Sequence, residues 1–339
     1  MDLFAFDPPE IDPTEIDAIA RRFYGVTGAM TRLRGERSHN TLIKTGDGVE
    51  LVLKIASANE TVATVRMHAA ALIHLERHAP HLPVARLVRS RDGNPVPIVD
   101  RAGRMHAMHL VTHLPGVTFG DRDPISTAGL EEIGALIGAV SAALADFEHP
   151  DAEHFVAWDI ANGLVHDDEL WAGLARDAAR TLEFARPRLS EAVAVMPALP
   201  RQVIHNDGHA GNLLRSGSGS DQVTGIIDFG DLVHTVTVAD LAVAGANLAP
   251  HQADPIAALV ALVDGFRSRR VVSNAELEAL PDLVLCRLVL SVLLVEHQIA
   301  HAPHIAAVVS EERPGLLAAV ERWLSIDPEI VRKRLTEAA

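Results

Sequence analysis

Apolar and polar residues alternate with two different periods along the chain, one typical of strands and one of helices. Apolar residues three and four apart predict a helix at Pro13–Tyr24. A hairpin is predicted next: residues 42–43 and 50–55 are rich in apolar and β-branched side chains, and Gly46-Asp47-Gly48 separates them. Another helix is predicted over residues 61–75, and two more strands over residues 82–88 and 105–114. This first part of the chain is therefore predicted to be rich in β-strands.

Helical spacing dominates from residue 125 onward. Ser126 or Thr127 can cap a helix that runs to Phe147, and Trp158-Asp159 begins another segment. Further helices are predicted at residues 170–184, 189–195, 238–244, 253–267, 274–280, 283–301 and 314–325. A strand that ends at Pro115-Gly116 is typical of a domain boundary. The pattern predicts an α+β protein with two lobes, a small β-rich one at residues 1–115 and a larger helical one at 116–339.

Composition narrows the class of protein. The chain has 339 residues, 48% of them hydrophobic, which is enough for two lobes with their own apolar cores. Its net charge of −15 argues against a nucleic-acid surface, where Lys and Arg would cluster. The single Cys286 fits a reducing compartment. The acidic start is unlike a secretion signal, and the most apolar run, residues 283–295, is too short to span a bilayer. We expect a cytoplasmic protein that is not bound to membranes.

Most candidate catalytic and metal-binding residues lie in one stretch, residues 203–231, which reads VIHNDGHAGNLLRSGSGSDQVTGIIDFGD. Two predicted strands, joined by a Ser/Gly-rich hairpin tip, deliver Asp207, Asn212 and Asp228 to the strand ends. Short side chains with oxygen atoms suit a hard divalent cation, and Mg²⁺ is the commonest one beside nucleotide phosphates. A carboxylate left over at this place can accept a proton from a hydroxyl nucleophile.

The pattern His-x-Asp-x(4)-Asn followed by Asp-Phe-Gly resembles the catalytic and metal loops of the protein-kinase-like superfamily. Its form here, HND and then IIDFGD, is similar to the aminoglycoside phosphotransferase and choline kinase branch, and within it to hydroxylysine-kinase-like small-molecule kinases. The resemblance covers about residues 30 to 300. It implies a protein-kinase-like fold and phosphoryl transfer from ATP or GTP to an alcohol group of a small molecule. Asp207 would be the base, Asn212 and Asp228 would hold Mg²⁺, and His205 and Asp240 would be structural.

The same resemblance implies a set of nucleotide-binding residues in the first lobe. Lys54, in the strand Val52-Leu53-Lys54-Ile55, would contact the donor phosphates, although a lone lysine in such a strand more often faces solvent. A polar loop at residues 35–40 occupies the place of the phosphate-covering loop but is not a G-x-G-x-x-G sequence. The remaining candidates are Arg37, Ser38 and Asn40 in this loop and Thr112 and Leu114 at the hinge that binds the purine.

The helix at residues 61–75 departs from the family pattern. In the family this helix carries an acidic partner for the strand lysine, but here His68 stands at that position. Either His68 orients Lys54 or Glu60, earlier in the chain, replaces the missing acid. The sequence leaves both open.

Candidates for substrate binding are Asp231, Trp158 and Arg287. Resemblance to the hydroxylysine-kinase-like group points to a hydroxylated amino acid or amino alcohol. Asp231 would support the metal site or meet a cationic group, and Trp158 is more typical of packing. Arg287, in an apolar helix, would bind a substrate carboxylate or form a buried ion pair with Glu296 or an earlier acid. Aminoglycoside, choline and homoserine kinases of the same fold remain alternatives.

A function of another class also has candidate residues. His205-x-Asp207-x-His209 could form the site of a transition-metal hydrolase. The chain lacks a matched second His cluster, and a hydrolase would leave Lys54 unexplained. A nucleotide-binding relative without activity is disfavoured because Asp207, Asn212 and Asp228 are all present.

Overall fold

The structure is a computed structural model that describes residues 8–35, 37–120, 122–302 and 305–337. The chain folds into two compact units. The first unit contains the described residues up to Pro115 together with His149–Ala152. The second contains Gly116–Glu148 and the described residues from Glu153 onward.

The first unit is an antiparallel sheet with two helices. Its elements in chain order are α1 (Pro13–Tyr24), β1 (Gly28–Leu33), β2 (Ser38–Thr45), β3 (Glu50–Ala56), α2 (Val62–His78), β4 (Leu87–Val88), β5 (Ile98–Arg101) and β6 (Arg104–Thr112). The strands pair in the order β1-β2-β3-β6-β4, and β5 pairs with β6. Asp12 caps α1 by accepting a hydrogen bond from the Thr14 N–H, and the helix ends at Gly25, whose φ of 69° favours glycine.

The core of the first unit is formed by the apolar face of helix α1 and by alternate side chains of the strands. Ile16 and Ile19 of α1 are buried against a cluster that includes Leu53 and Ile55 of β3. Because side chains alternate across a strand, Lys54 lies on the opposite face of β3 from these two residues.

The second unit is mainly helical. Its helices are α3 (Thr127–Ala143), α4 (Asp168–Ala172), α5 (Arg176–Glu183), α6 (Arg186–Val195), α7 (Ala239–Leu248), α8 (Pro255–Arg267), α9 (Asn274–His301), α10 (Ala306–Leu324) and α11 (Pro328–Glu337). Its strands are β7 (Val117–Thr118), β8 (Arg201–Ile204), β9 (Leu213–Arg215), β10 (Val223–Ile226) and β11 (Val233–Val236). They form two small antiparallel sheets, β10-β9-β7 and β11-β8.

Two helix contacts organise the second unit. Helices α3 and α8 approach closely because Gly134 faces the carbonyl oxygen of Leu262, and Gly265 faces that of Glu131, at distances that leave no room for a Cβ atom. Helix α9 is buried along most of its length. The carbonyl oxygen of its internal Pro281 accepts a hydrogen bond of 2.9 Å from the buried Trp323 Nε1.

Several predicted elements differ from the observed ones. Of the strand predicted at residues 82–88, only Leu87–Val88 forms a strand, and Val84 makes an isolated bridge. A backbone turn occupies the start, where the Leu82 N–H donates to the Ala79 carbonyl oxygen. Trp158-Asp159 begins no helix but lies in turns, where the Asp159 side chain accepts the Ala161 N–H. The two helices predicted on either side of Pro281 form one continuous α9. Strands β1 and β5 and helix α11 were not predicted.

None of the described helices is long and apolar enough to cross a lipid bilayer.

Candidate active site

The loop that follows β8 is hydrogen-bonded to a side chain in the first turn of α7. Asn206 has a φ of 62°, a left-handed conformation that residues other than glycine seldom adopt. Its backbone N–H donates to Oδ1 of Asp240 at 2.8 Å. Asp240 is fully buried, and this burial raises its pKa to about 7 although the bond from Asn206 opposes the shift. Asp240 therefore holds the loop through a buried hydrogen bond.

His205 connects this loop to the segment after β10. Its Nδ1 accepts the Asp207 N–H at 3.2 Å, so Nε2 carries the proton and donates to the Ile227 carbonyl oxygen at 3.2 Å. The ring also packs edge-on against Phe229, with centroids 4.6 Å apart. Burial lowers the pKa of His205 to about 4, which keeps the ring neutral at physiological pH. His205 is thus a fixed structural link between the two loops.

The two oxygen atoms of the Asp207 carboxylate have different surroundings. Oδ2 accepts a hydrogen bond of 2.6 Å from Asn212 Nδ2, which also donates to the Asp207 carbonyl oxygen at 3.0 Å. Nε2 of His209 lies 3.7 Å from the same Oδ2. Oδ1 instead faces Nη2 of Arg287 at 3.7 Å, too far for a hydrogen bond. The Asp207 side chain is 18% exposed, whereas the Arg287 side chain beside it is 8% exposed.

Asn212 and Asp228 are brought together by the β9–β10 hairpin. Leu213 pairs with Ile226, and the Ile227 N–H donates to the Asn212 carbonyl oxygen at 2.9 Å. Asp228 follows directly with a φ of 64°, a strained conformation of the kind found at functional sites. Two acceptors fix the Nδ2 side of the Asn212 amide toward Asp207, which directs its Oδ1 away.

The donor set at this point fits a divalent cation. An amide oxygen from Asn212 and a carboxylate from Asp228 are hard ligands of the kind that Mg²⁺ and Ca²⁺ take. The backbone bond between Ile227 and Asn212 holds the two residues in adjacent positions before any cation binds.

Arg287 and Trp158 lie next to the Asp207 carboxylate. Nη1 of Arg287 donates to the Trp158 carbonyl oxygen, and its guanidinium carbon lies 5.2 Å from the centre of the Trp158 ring. Burial lowers the pKa of Arg287, while the nearby Asp207, Asp231 and Asp159 carboxylates act in the opposite direction. The suggested ion pair with Glu296 is wrong, because Glu296 accepts a bond of 2.6 Å from Arg313. The suggested pairing with an earlier acid agrees with the structure, since the Asp207 carboxylate lies 3.7 Å from Arg287.

Two carboxylates complete the surroundings of Arg287. Asp231 is buried at the end of the short 3₁₀ turn Phe229–Asp231. Asp159 accepts hydrogen bonds from Thr235 Oγ1 at 2.9 Å and from the Ala161 N–H, and burial raises its pKa. Asp159 was not singled out in the sequence as a site residue. The Trp158-Asp159 dipeptide was the one feature of the sequence that drew attention to this segment. Its relation to Arg287 is visible only in the folded structure.

Candidates for nucleotide binding lie in the first unit. Lys54 is half-buried and pairs across the sheet with Asn40 on one side and His109 on the other. Asn40 donates to the Arg34 carbonyl oxygen and accepts from Ser38 Oγ, so its side chain braces the polar loop. Arg37 begins the described part of this loop after Glu36, which lies outside the described residues.

The predicted hinge residues end β6. Thr112 Oγ1 accepts a hydrogen bond of 2.9 Å from the Arg86 N–H, so the Thr112 side chain is bonded to the segment that precedes β4. Leu114 is half-buried just beyond the strand.

Glu60 and His68, the two candidate partners of Lys54, lie beside each other. Oε1 of Glu60 is 3.9 Å from Nδ1 of His68, and the side chains are only 13% and 6% exposed. The acid and the histidine therefore form one buried pair at the start of α2.

The structure does not support a transition-metal site at His205, Asp207 and His209. Both ring nitrogens of His205 are engaged in hydrogen bonds, so this residue has no lone pair to offer a metal. Across the described ranges, no three His, Cys, Asp or Glu side chains are grouped so that they could hold a metal ion.

Comparisons with known proteins show which family the chain resembles over most of its length. The chain matches the model of the phosphotransferase enzyme family, APH, over residues 29–272. It is 24% identical over 319 residues to a hydroxylysine kinase of Danio rerio, covering 87% of this chain and 86% of that one.

Solved structures share the fold. A microcompartment-associated aminopropanol kinase superposes with a TM-score of 0.69 at 21% identity, over 93% of this chain and 98% of the other. An amicoumacin kinase, solved with AMP-PNP, Ca²⁺ and Ami, gives a TM-score of 0.67 at 16% identity, over 92% and 93%. The predicted fold class, α+β of the protein-kinase-like type, is confirmed. Because the family model covers most of the chain, this protein belongs to the phosphotransferase enzyme family.

Proposed function

We propose that this protein is a small-molecule kinase that transfers the terminal phosphate of ATP or GTP to a hydroxyl group of an amino acid or amino alcohol. One observation carries the proposal: the Asp207 carboxylate is oriented by Asn212, and Asn212 is joined through its backbone to the residue before Asp228. The proposed base and the two proposed oxygen ligands thus belong to one connected set of hydrogen bonds and neighbouring residues. Similarity to a hydroxylysine kinase and an aminopropanol kinase supports the acceptor class.

Asp207 is the proposed base. The short bond from Asn212 stabilises charge on Oδ2 and fixes the carboxylate plane, so Oδ1 is the atom that receives the hydrogen bond of the acceptor hydroxyl. Since the transition state of phosphoryl transfer is loose, orientation of this hydroxyl matters more than strong basicity. Asp207 holds the hydroxyl in line and takes its proton as the new O–P bond forms.

Asn212 and Asp228 are the proposed Mg²⁺ ligands, through Oδ1 and the carboxylate respectively. When bound, the cation would neutralise charge on the phosphate oxygens of the donor. The amicoumacin kinase was solved with a divalent cation and a nucleotide analogue, which supports this part of the proposal.

Lys54, Arg37, Ser38, Asn40, Thr112 and Leu114 are the proposed nucleotide-binding residues. We place them in a domain at residues 1–115 and the transfer chemistry in one at 116–339. The buried pair of Glu60 and His68 is the proposed replacement for the acid that the family carries on α2. Glu60 supplies the negative charge and His68 limits its movement, so either residue alone is an incomplete substitute.

Asp231 is a proposed partner for a cationic group of the acceptor. It is buried, and Asp231, Asp159 and Asp207 all act electrostatically on Arg287; this accumulation of carboxylates favours an acceptor with an amino group. The same observation supports a second candidate, an aminoglycoside, choline or homoserine kinase of this fold. With its single cysteine, the chain fits the cytoplasm, where ATP and Mg²⁺ are available.

A coupled assay of nucleoside diphosphate release tests the proposal. ATP and GTP would each be offered with Mg²⁺ and with hydroxylated amino acids, amino alcohols, choline and aminoglycosides. We expect release that depends on one hydroxylated amino acid or amino alcohol and is absent with Asp207→Asn. If no acceptor stimulates release above the rate with nucleotide alone, the proposed function is wrong. Stimulation by aminoglycosides, choline or homoserine alone would select the second candidate.

A further inference from the structure

Arg287 is a charged residue in a place where charge is costly. It lies in α9 within the apolar run at residues 283–295 and is 7% exposed. A buried guanidinium is tolerated when its N–H groups are bonded and its charge is paired. Here Nη1 is bonded to the Trp158 carbonyl oxygen, whereas Nη2 lies 3.7 Å from the Asp207 carboxylate.

The acids of α9 do not pair with Arg287. Glu296 is bonded to Arg313, and Asp282 is bonded to Arg188 and Arg332. These pairs stabilise the helix contacts without any contribution from Arg287. The carboxylates that do act on Arg287, those of Asp207, Asp231 and Asp159, all belong to the candidate active site.

We propose that Arg287 binds the carboxylate of the acceptor, so that the acceptor is a hydroxylated amino acid and not an amino alcohol. This inference rests on the proposed function, because it concerns the same site. A guanidinium fork matches a carboxylate with two parallel hydrogen bonds, and Trp158 already fixes one edge of the fork in position.

The position of Arg287 beside Oδ1 of Asp207 explains why one molecule meets both groups. A hydroxyl that donates to Oδ1 lies beside Nη2, so a carboxylate on the same small molecule reaches the guanidinium. The ammonium group of such an acceptor is attracted to Asp231. A zwitterionic amino acid thereby meets charges of both signs. An amino alcohol offers no carboxylate, so Arg287 keeps only the bond to Trp158 and the Asp207 carboxylate at 3.7 Å.

Two other roles for Arg287 make a different prediction. If it oriented Asp207, or stabilised the phosphoryl group during transfer, its removal would slow the reaction with every acceptor to the same extent. Carboxylate binding instead predicts a loss that is confined to acceptors with a carboxylate. The decisive quantity is therefore the ratio of kcat/KM between two acceptors that differ in this group alone.

The experiment uses three matched pairs, each an amino acid and its decarboxylated amine: hydroxylysine and 1,5-diaminopentan-2-ol, threonine and 1-aminopropan-2-ol, homoserine and 3-aminopropan-1-ol. They are tested with the full-length protein and with Arg287→Gln and Arg287→Lys. We expect the amino acid of the active pair to be preferred by the unmodified protein. In Arg287→Gln this preference should fall on the order of a hundredfold, and Arg287→Lys should lie between, because it keeps the charge but loses the fork.

A second comparison avoids any failure of the variants to fold. The unmodified protein should prefer the active amino acid over its own carboxamide by a similar factor. Equal loss for both members of a pair in Arg287→Gln, or equal use of acid and carboxamide, would overturn the inference and leave the proposed kinase activity intact. Preference of the unmodified protein for the amines would do the same. Absence of phosphorylation with every acceptor would overturn the proposed function itself.

Discussion

At the scale of single residues, the geometry of the candidate site depends on hydrogen bonds and ion pairs between buried polar groups. Asn212 occupies one oxygen of Asp207 and leaves the other toward Arg287. His205 is held neutral because both ring nitrogens are bonded and its burial opposes protonation. These pairings give each group one orientation, so that the loop presents its carboxylate without rearrangement.

Replacing Asp207 by Asn should remove the base while keeping the shape of the side chain. We expect kcat to fall by about a thousandfold or more, since a positioned general base contributes roughly that factor. The dissociation constant of the nucleotide should change by less than about threefold, because the proposed nucleotide ligands are elsewhere. Steady-state kinetics and calorimetric titration with a non-hydrolysable nucleotide measure the two quantities. Turnover at the unmodified rate would refute the role of Asp207.

The buried Asp240 makes a prediction about pH. Its folded-state pKa of about 7 is above the ordinary value of 3.8, so its contribution to stability is present at low pH and is lost as the pH rises toward 7. Asp240→Asn keeps an oxygen acceptor for Asn206 but does not ionise. Relative to the unmodified protein, the free energy of unfolding of this variant should rise by about 1.4 kcal/mol per pH unit between pH 4 and 7.

Urea titrations at several pH values measure this difference. The matched control is Asp168→Asn, which changes an exposed carboxylate in the first turn of α4. This variant leaves the buried Asp240 in place, so the rise expected for Asp240→Asn should not be seen with it. A flat difference for Asp240→Asn as well would show that the buried carboxyl does not titrate as described.

At the scale of elements, close approach of α3 and α8 depends on two glycines. A Cβ at Gly134 would overlap the Leu262 carbonyl oxygen, and one at Gly265 would overlap that of Glu131. Both obstacles are backbone atoms, which cannot turn aside as a flexible side chain can. The contact therefore fixes the spacing between the two helices.

Gly134→Ala should destabilise the protein even though alanine is the better helix former. Propensity alone would stabilise α3 by about 1 kcal/mol. The overlap with Leu262 should outweigh this and lower the free energy of unfolding by about 2 kcal/mol or more. Gly46→Ala is the control, because no atom lies within 4 Å of a Cβ at that position. Chemical denaturation of both variants checks the sign, and a stabilised Gly134→Ala would contradict the packing described.

Local patterns allowed prediction of those elements whose signals lie within a few residues. Helix α1 has its cap, its apolar stripe and its terminal glycine in one segment, and it was predicted with its observed bounds. Helix α9 was predicted as two because Pro281 interrupts the pattern, yet burial on all sides keeps the helix continuous. Strand β1 is largely exposed and lacks alternation, so pairing with β2 alone defines it.

In the candidate site, too, residues close together in the sequence were predicted, whereas contacts between residues far apart in the sequence were not. Asp207, Asn212 and Asp228 lie within one short stretch, and the motif identified them together. Arg287 comes from a helix far along the chain, and the sequence left its partner open between a substrate carboxylate, Glu296 and an earlier acid. Only the tertiary structure pairs Glu296 with Arg313 and brings Arg287 to Asp207.

At the scale of the whole molecule, the two units carry different parts of the proposed reaction. The first unit holds Lys54 and the second holds Asp207, Asn212 and Asp228. Within the second unit the proposed base and the proposed cation ligand Asp228 are different side chains, so we expect their replacement to have different effects.

Asp228→Ala should lose the part of nucleotide binding that depends on Mg²⁺. With the unmodified protein, saturating ATP and Mg²⁺ should raise the melting temperature by several degrees, and EDTA should abolish most of this shift. The variant should show a small shift that Mg²⁺ no longer increases, because one of two oxygen ligands is missing. Thermal-shift titrations measure both, with Asp168→Ala as the control that keeps the full response. A Mg²⁺-dependent shift of normal size in Asp228→Ala would exclude it as a ligand.

Identification of the product tests the central claim most directly. Purified protein would be incubated with ATP, Mg²⁺ and the acceptor that stimulates diphosphate release, and the mixture would be followed by ³¹P NMR and mass spectrometry. We predict a phosphate monoester of the acceptor, formed in equal amount to ADP, and none with Asp207→Asn. Release of inorganic phosphate without a phosphorylated acceptor, or formation of the monoester by Asp207→Asn at the unmodified rate, would contradict the account.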